Sequence, residues 1–345
     1  AGQADVLARL LGRQHQALRP GDISVADWLG PTRPDRISVI PLFEDLDGMY
    51  NAASVVEAYL ADKEIADQRV FLARSDTAMN YGLVSAALSN KIALARLDAL
   101  SGRCGTRIHP ILGMGSAPFR GGLSPVTAER VGREYPSVAT FTIQSAFKYD
   151  YPPDEVRAAI GLLESREVGS ALAIDEERAG GIIARYSEAY RARVVSLSDA
   201  INRLAAFVPK RRARKLHVGL FGYARQLGDV TLPRAIAFTC ALYSAGLPPE
   251  LLALEALSAD DLTFVREAYP SFDAKLAEAL RFSDLDGPQV PKSLRDAVLR
   301  AGYDWAPDST HLDLVRRIRE ALGARQEMLL PDLVLRAALV RRFLG

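Results

Sequence analysis

Acidic, basic and glycine residues recur directly after short apolar segments of this sequence. Glu44 and Asp76 each follow one such segment, and Arg120 lies in a glycine-rich stretch after a third. Mg²⁺ commonly takes one or two carboxylates from a protein and keeps its other positions for water and substrate oxygens. A guanidinium binds phosphate or carboxylate through two parallel hydrogen bonds. These residue types therefore favour chemistry on an anionic substrate at a divalent metal ion.

Each of these residues also has a simpler interpretation. An acid after a strand often caps the next helix or pairs with an arginine, and structural ion pairs of this kind are common. The glycine-rich stretch, which includes Gly121 and Gly122, could bring backbone N–H groups close to an anion or form a plain turn. Gly-rich loops alone are weak signals, so both alternatives stay open at this point.

The elements that must position these residues are short buried strands. Bounded, β-branched runs predict five of them, at residues 37–43, 69–73, 106–112, 138–143 and 216–221. Helical periodicity at 51–60 and 81–97 separates some of these runs, so the strand–helix alternation predicts parallel pairing. In a parallel α/β fold, functional residues gather at the carboxyl ends of the strands. Gln144 follows the fourth predicted strand and Arg225 follows the fifth.

The second half of the chain has a different character. Helices are predicted at 154–164, 176–207, 232–244, 259–269, 294–301, 312–322 and 330–343. We therefore expect strand and helix units with the metal and phosphate loops at 25–150, and a mainly helical region with one strand at 151–345. Five strand units are too few for an eight-stranded barrel. The sheet is either open, or part of a barrel whose first strands lie upstream of Ala1.

Composition restricts the partners. The chain of 345 residues has 43 Lys and Arg against 42 Asp and Glu, a net charge of +1. This balance argues against nucleic acid as a partner, and no apolar run reaches the length of a membrane span. Two cysteines are too few for a disulfide scaffold, so a cytoplasmic location is expected. His15 and His311 fall in predicted helices and are expected to face solvent.

Five motifs at the strand ends share a single resemblance. They are Pro41-Leu-Phe-Glu-Asp45, Phe71-Leu-Ala-Arg-Ser-Asp-Thr-Ala-Met-Asn-Tyr-Gly82, Gly113-Met-Gly-Ser-Ala-Pro-Phe-Arg-Gly-Gly122, Thr140-Phe-Thr-Ile-Gln-Ser-Ala-Phe-Lys-Tyr149 and Gly219-Leu-Phe-Gly-Tyr-Ala-Arg225. In this order, and together with the C-terminal Gly345, they resemble archaeal-type phosphoenolpyruvate carboxylase. The similarity runs from about Val25 to the end of the sequence.

The resemblance implies a TIM-type β/α barrel with many added helices, a requirement for Mg²⁺ or Mn²⁺, and a homotetramer. It also implies an N-terminal part, absent from this sequence, that supplies early barrel strands and a catalytic histidine. We therefore expect the chain to be the C-terminal portion of one catalytic domain. It would need the missing N-terminal part in cis or as a second chain, and would aggregate without it.

Site residues follow from the resemblance position by position. The metal ligands implied are Glu44 and Asp76. The catalytic residues implied are Arg120, Arg74 and Arg225, and the substrate-binding residues are Arg120, Gln144, Arg225, Gly121 and Gly122. The larger bacterial and plant-type enzymes have a lysine where this sequence has Met79, so Arg74 is a candidate to replace its charge. No catalytic base can be assigned within these residues.

The reaction implied is carbon dioxide fixation by a lyase: phosphoenolpyruvate and bicarbonate give oxaloacetate and phosphate. Two alternatives remain. One is a non-catalytic portion that serves oligomerisation or binding. The other is a different metal-dependent barrel lyase acting on phosphoenolpyruvate or pyruvate. The five ordered motifs favour the carboxylase over this second alternative.

Overall fold

A computed structural model of the chain describes residues 38–210, 225–227 and 230–345. Four parallel strands form one sheet in the order β1-β2-β3-β4, in which each strand pairs with its neighbour along the chain. The strands are β1 (Leu42–Phe43), β2 (Asp67–Ala73), β3 (Arg107–Gly113) and β4 (Thr140–Thr142). The predicted mixed α/β fold with parallel pairing is therefore confirmed.

The strands end at nearly the same level. Ala73, the last residue of β2, pairs with Gly113, the last residue of β3, and Gly113 also pairs with Thr142. On the other side of β2, Phe43 pairs with Leu72. The residues that follow the four strands consequently meet at one edge of the sheet, where functional groups of parallel α/β folds gather.

Within the described residues, six α-helices follow or connect the strands of the sheet. They are α1 (Leu46–Leu60), α2 (Ser75–Tyr81), α3 (Leu83–Cys104), α4 (Ala128–Glu134), α5 (Ser145–Tyr149) and α6 (Pro153–Ser165). The Asp45 side chain caps α1 by accepting from the Gly48 N–H at 2.6 Å. Gly82 joins α2 to α3 with φ +86°, and a Cβ there would lie 2.5 Å from the Tyr186 ring. Glycine is the one residue type that adopts the left-handed conformation without strain and leaves room for the Tyr186 ring.

The described residues after α6 are mainly helical. Their α-helices are α7 (Glu176–Ala205), α8 (Ala235–Ser244), α9 (Ala259–Ala268), α10 (Phe272–Arg281), α11 (Lys292–Arg300), α12 (Ser309–Gly323) and α13 (Leu330–Arg341). An antiparallel pair, β5 (Arg225–Leu227) and β6 (Val230–Leu232), precedes α8. One apolar core lies around the sheet, and a larger one is shared by α3, α7 and the later helices.

Several predicted boundaries differ from the structure. The described part of the predicted strand 37–43 contributes only Leu42–Phe43, and β4 is likewise shorter than 138–143. The predicted strand 216–221 lies outside the described residues. The pair β5–β6 and the helix α10 were not predicted. The signal for α10 was available, since Phe272, Leu276 and Leu280 repeat every four residues and are buried.

Among the described residues, no single helix has the length and apolar character of a membrane span. One bent pair, Ala235–Ser244 with Pro249–Ala256, meets that test by length and composition when joined across an 88° bend.

Candidate functional site

Two carboxylates stand at the ends of neighbouring strands. Glu44 follows β1 directly, and Asp76 lies in the first turn of α2, three residues after the end of β2. Both are half-buried. Thr77 ties the two segments together, because its hydroxyl donates to the Glu44 carbonyl at 3.0 Å and to the Ala73 carbonyl at 2.9 Å. The fold therefore places the two predicted metal ligands on adjacent segments at one edge of the sheet.

The donor set at this edge fits a hard divalent cation. Among the described residues, no group of three or more His, Cys, Asp or Glu side chains comes together. A Mg²⁺ ion does not require such a group, because one or two carboxylates from the protein suffice. Glu44 and Asp76 supply two oxygen ligands of the type that Mg²⁺ and Mn²⁺ prefer.

The glycine-rich loop after β3 is a closed turn. The Gly115 N–H donates to the Arg120 carbonyl and the Leu123 N–H donates to the Gly115 carbonyl, both at 2.8 Å. Gly121 and Gly122 have φ values of +115° and +71°. A Cβ on Gly121 would lie 2.6 Å from the Met114 side chain. Glycine is therefore required at position 121 for both conformation and space.

The backbone amides of the loop are used within the protein. The Gly121 N–H donates to the Pro118 carbonyl at 3.1 Å, and the Gly122 N–H donates to the Ala117 carbonyl at 2.9 Å. In this conformation Gly121 and Gly122 shape the loop, and their N–H groups do not form an anion cradle. This differs from the anion-cradling alternative considered for the loop.

The Arg120 side chain is held at the strand ends. It is 4% exposed. One terminal nitrogen, Nη2, donates to the Gln144 Oε1 at 2.6 Å, and the other, Nη1, donates to a Gly345 oxygen at 2.5 Å. Gln144 directly precedes α5 and follows β4. The structure thus brings together two residues that the sequence predicted as substrate-binding, together with the C-terminal glycine.

Arg74 lies in a buried polar group that sequence reasoning missed. We refer to this group as the Glu134 cluster; it consists of Arg74, Lys91, Glu134, Tyr269, Ser271 and Lys275, all 3% exposed or less. Arg74 Nη2 donates to the Leu83 carbonyl at 3.2 Å and to the Tyr269 hydroxyl at 3.4 Å. Its complete burial is at odds with direct contact to a substrate in this conformation.

Glu134 is the carboxylate of its cluster. It accepts from the Ser271 hydroxyl through Oε2, and Lys275 Nζ lies 3.5 Å from the same oxygen. Lys275 Nζ also donates to the Tyr269 hydroxyl at 2.7 Å, and Lys91 Nζ donates to the Glu134 carbonyl at 2.5 Å. Burial, together with the neighbouring cations, lowers the pKa of Lys91 to about 8, although Glu134 opposes this.

The cluster lies against the glycine-rich loop. A Cβ on Gly122 would be 3.3 Å from the Lys275 Cε, and the Arg74 N–H donates to the Gly113 carbonyl at 3.1 Å. The cluster holds three cationic side chains and one carboxylate, and Lys275 is the cation that reaches this carboxylate. The loop that carries Arg120 therefore lies against a positively charged interior.

The C-terminal segment is docked beside α8. Arg341 is buried, with Nη1 2.8 Å from the His311 Nε2. The expectation that His311 faces solvent is wrong, because it is 1% exposed. Burial and the adjacent Arg341 lower its pKa to about 2, so this imidazole is neutral. A Cβ on Gly345 would lie 2.1 Å from the Ile236 carbonyl oxygen, so a side chain does not fit there.

The prediction for Arg225 has a more limited outcome. The backbone of Arg225 lies in β5, but its side chain is outside what the structure describes.

A cavity of about 140 Å³ lies between α7, α8 and α12, and residues such as Ile201, Leu242 and Ile318 line it. None of its lining residues belongs to the predicted site. The candidate site is therefore the polar strand edge, and this apolar cavity is separate from it.

The family model and the relatives that match this chain carry the same description. A family model described as phosphoenolpyruvate carboxylase matches residues 4–345. A phosphoenolpyruvate carboxylase of Methanospirillum hungatei is 48% identical over 339 residues, which are 97% of this chain and 69% of that protein. The enzyme of the same name from Methanothermobacter thermautotrophicus is 48% identical over 337 residues, again 97% of this chain and 69% of the relative. That of Halobacterium salinarum is 44% identical over 338 residues, covering 97% and 68%.

Proposed function

The chain belongs to the phosphoenolpyruvate carboxylase family, and from this premise we propose that the strand edge described above is the site of carboxylation. The reaction converts phosphoenolpyruvate and bicarbonate to oxaloacetate and phosphate. Of the alternatives considered from the sequence, the comparisons support this lyase activity. The observation that carries the assignment of the site is the Arg120 guanidinium, held at the sheet edge by Gln144.

The chemistry explains why such a guanidinium is needed. A bicarbonate oxygen attacks the phosphorus of phosphoenolpyruvate, and the bond from phosphorus to the enol oxygen breaks. The products are the enolate of pyruvate and carboxyphosphate. Carboxyphosphate then releases carbon dioxide and phosphate, and the enolate carbon attacks the carbon dioxide. In this proposal Arg120 binds the phosphoryl group, where bidentate donation stabilises the charge that builds up on its oxygens.

Glu44 and Asp76 are proposed to hold a Mg²⁺ or Mn²⁺ ion. Such an ion, when bound, stabilises negative charge on the enolate oxygen as a Lewis acid. The protein contributes two carboxylates on adjacent segments, with the Glu44 carbonyl fixed by Thr77. Gln144 orients Arg120 through its side-chain oxygen, and Arg225 is proposed as a second cation for the substrate. The base stays unassigned among the described residues.

The sheet supports a barrel architecture. Consecutive strands are neighbours throughout β1-β2-β3-β4, as in a singly wound barrel, whereas a doubly wound sheet reverses its strand order. We propose that these strands form part of a TIM-type barrel, with 25–150 as its strand and helix units and 151–345 as the added helical region. A homotetramer and a cytoplasmic location complete the proposal, and light scattering during gel filtration tests the tetramer.

An assay of the full-length gene product tests the function. Oxaloacetate is measured by coupling to malate dehydrogenase and following NADH oxidation, with and without bicarbonate. We expect product only when phosphoenolpyruvate, bicarbonate and a divalent metal ion are all present. Undiminished turnover after chelation and dialysis would contradict the metal proposal, and turnover without bicarbonate would contradict carboxylation.

A further inference from the structure

Glu250 is a buried carboxylate that contacts the loop carrying Arg120. It lies in the short turn Pro249–Leu251 and is 0% exposed. Its Oε1 accepts two hydrogen bonds, from the Phe119 N–H at 2.6 Å and from the Tyr243 hydroxyl at 2.7 Å. Its Oε2 has no hydrogen-bond partner among the described residues. Burying a carboxylate is costly, so this group calls for an explanation that packing alone does not give.

The two donors to Glu250 come from the loop that carries Arg120 and from Tyr243 of α8, which packs against the C-terminal segment. Phe119 directly precedes Arg120 in the loop. Tyr243 packs edge-on against Phe343, with ring centroids 5.1 Å apart. Phe343 in turn lies two residues before Gly345, whose oxygen accepts from Arg120 Nη1. Glu250 therefore accepts a hydrogen bond from the loop itself, and it accepts a second from Tyr243, whose ring packs against the C-terminal segment that contacts the same guanidinium.

We propose that Glu250 is a positioning residue for carboxylation, which fixes the loop through the Phe119 N–H so that Arg120 meets the transferring phosphoryl group in a single orientation. This inference rests on the role proposed above for Arg120. A charged acceptor suits the task, because hydrogen bonds to an ionised group are about twice as strong as neutral ones. The carboxylate does not contact substrate.

The charge state of Glu250 links the loop to pH. Burial raises its pKa to about 7, although the bonds from Tyr243 and Phe119 lower it, and the nearby Glu278 raises it further. The other titratable groups that face it are Tyr186 and Tyr190 of α7 and Arg341 of α13. The carboxylate is ionised above pH 7 and protonated below, so its hold on the loop weakens as the pH falls through 7.

A carboxylate-to-amide substitution tests this inference. We expect E250Q to reduce kcat about 10-fold or more at pH 8, as loss of a charged hydrogen bond predicts. We also expect the kcat of the wild type to fall below pH 7 and that of E250Q to show no such fall, because the amide does not titrate. The matched control is E255Q, since Glu255 lies five residues away and pairs with Arg193 instead of the loop. It should keep the wild-type profile.

Hydrogen exchange of the loop separates this inference from the proposed activity. Exchange in the peptide covering 114–123, compared at equal pH with E255Q, should be faster in E250Q whether or not the protein makes oxaloacetate. If the wild type makes no oxaloacetate, the proposed function fails. The hydrogen exchange still shows in that case whether Glu250 holds the loop. An E250Q protein with the wild-type acidic fall in kcat, or with unchanged exchange of this peptide, overturns the inference.

A second variant decides the question if E250Q does not fold. Y243F keeps the ring against Phe343 and the Phe119 bond, but removes one donor to the carboxylate. The pKa of Glu250 should rise, so the acidic fall in kcat should move to higher pH by about half a unit or more. An unshifted profile in Y243F would contradict the assignment of that fall to Glu250.

Discussion

The Glu134 cluster allows a direct test of how the buried polar groups next to the glycine-rich loop are stabilised. The substitution E134Q removes the carboxylate charge from a buried group that contains Arg74, Lys91 and Lys275. The amide keeps the size of the side chain, so the packing survives, and its one oxygen can take the place of the Oε2 that accepts from the Ser271 hydroxyl. What changes is the charge, since three cations then lie buried without a carboxylate in their cluster.

The expected loss follows from the burial of these groups. Removing one partner of a buried ion pair typically destabilises a protein by about 3–5 kcal/mol, because the remaining charge is uncompensated. The pKa of Lys91 gives an independent measure of the free-energy cost of burying a cation in this cluster. This pKa of about 8, against an ordinary value of 10.5 for a lysine, corresponds to about 3 kcal/mol at 1.36 kcal/mol per pKa unit. Without the Glu134 charge that raises this pKa, the penalty grows further.

Lys91 also determines whether the stability of the protein rises or falls with pH. Between pH 8 and 10.5 the unfolded chain binds a proton at Lys91 that the folded protein does not, so stability from this group rises with pH across that window. Below pH 8 the full penalty is present. In E134Q the pKa of Lys91 should be lower than in the wild type, so the pH range in which stability rises should begin at a lower pH. Part of the stability that the substitution removes should therefore return between pH 7 and 9.

Urea unfolding at pH 7 and pH 9, followed by intrinsic fluorescence, measures both effects. The control is E129Q on the same helix α4, where Glu129 forms an exposed pair with Arg133. Such a pair contributes about 0.5 kcal/mol or less. An E134Q protein within about 1 kcal/mol of wild type at pH 7, or with an unchanged pH dependence, would refute this account of the cluster.

Four further substitutions test the site. R120K should lower kcat at saturating phosphoenolpyruvate by about 2–4 kcal/mol of transition-state stabilisation, because an ammonium does not reproduce bidentate geometry; wild-type kinetics would instead favour the interpretation of the loop as a plain turn. E44Q and D76N should each sharply reduce turnover at limiting Mg²⁺ while leaving the thermal midpoint near wild type, and normal metal titration of either would remove that residue from the site. G345A should fold but lose most of its activity, because its Cβ would lie 2.1 Å from the Ile236 oxygen and displace the contact to Arg120; full activity in steady-state assays would show that this contact is dispensable.

The local sequence pattern predicted which residues would follow the strands and lie at one edge of the sheet. Glu44, Asp76, Arg120 and Gln144 each follow a short apolar run, and parallel strands end at one edge of their sheet. Their convergence is therefore a consequence of local pattern and pairing direction, and the structure shows Arg120 and Gln144 in direct contact. Most helices were also predictable to within a few residues, because their apolar positions repeat with helical spacing.

The partners that support these residues come from distant parts of the chain and are seen in the folded protein alone. The Phe119 N–H meets Glu250 across 131 positions of sequence, and Ser271 meets Glu134 across 137. A local pattern carries no information on such distant partners. The pattern also failed at His311, where an imidazole in an amphipathic helix is buried beside Arg341. Burial of a polar group is stable only when a specific partner reaches it, and those partners are brought together by the packing of the helices rather than by the local sequence.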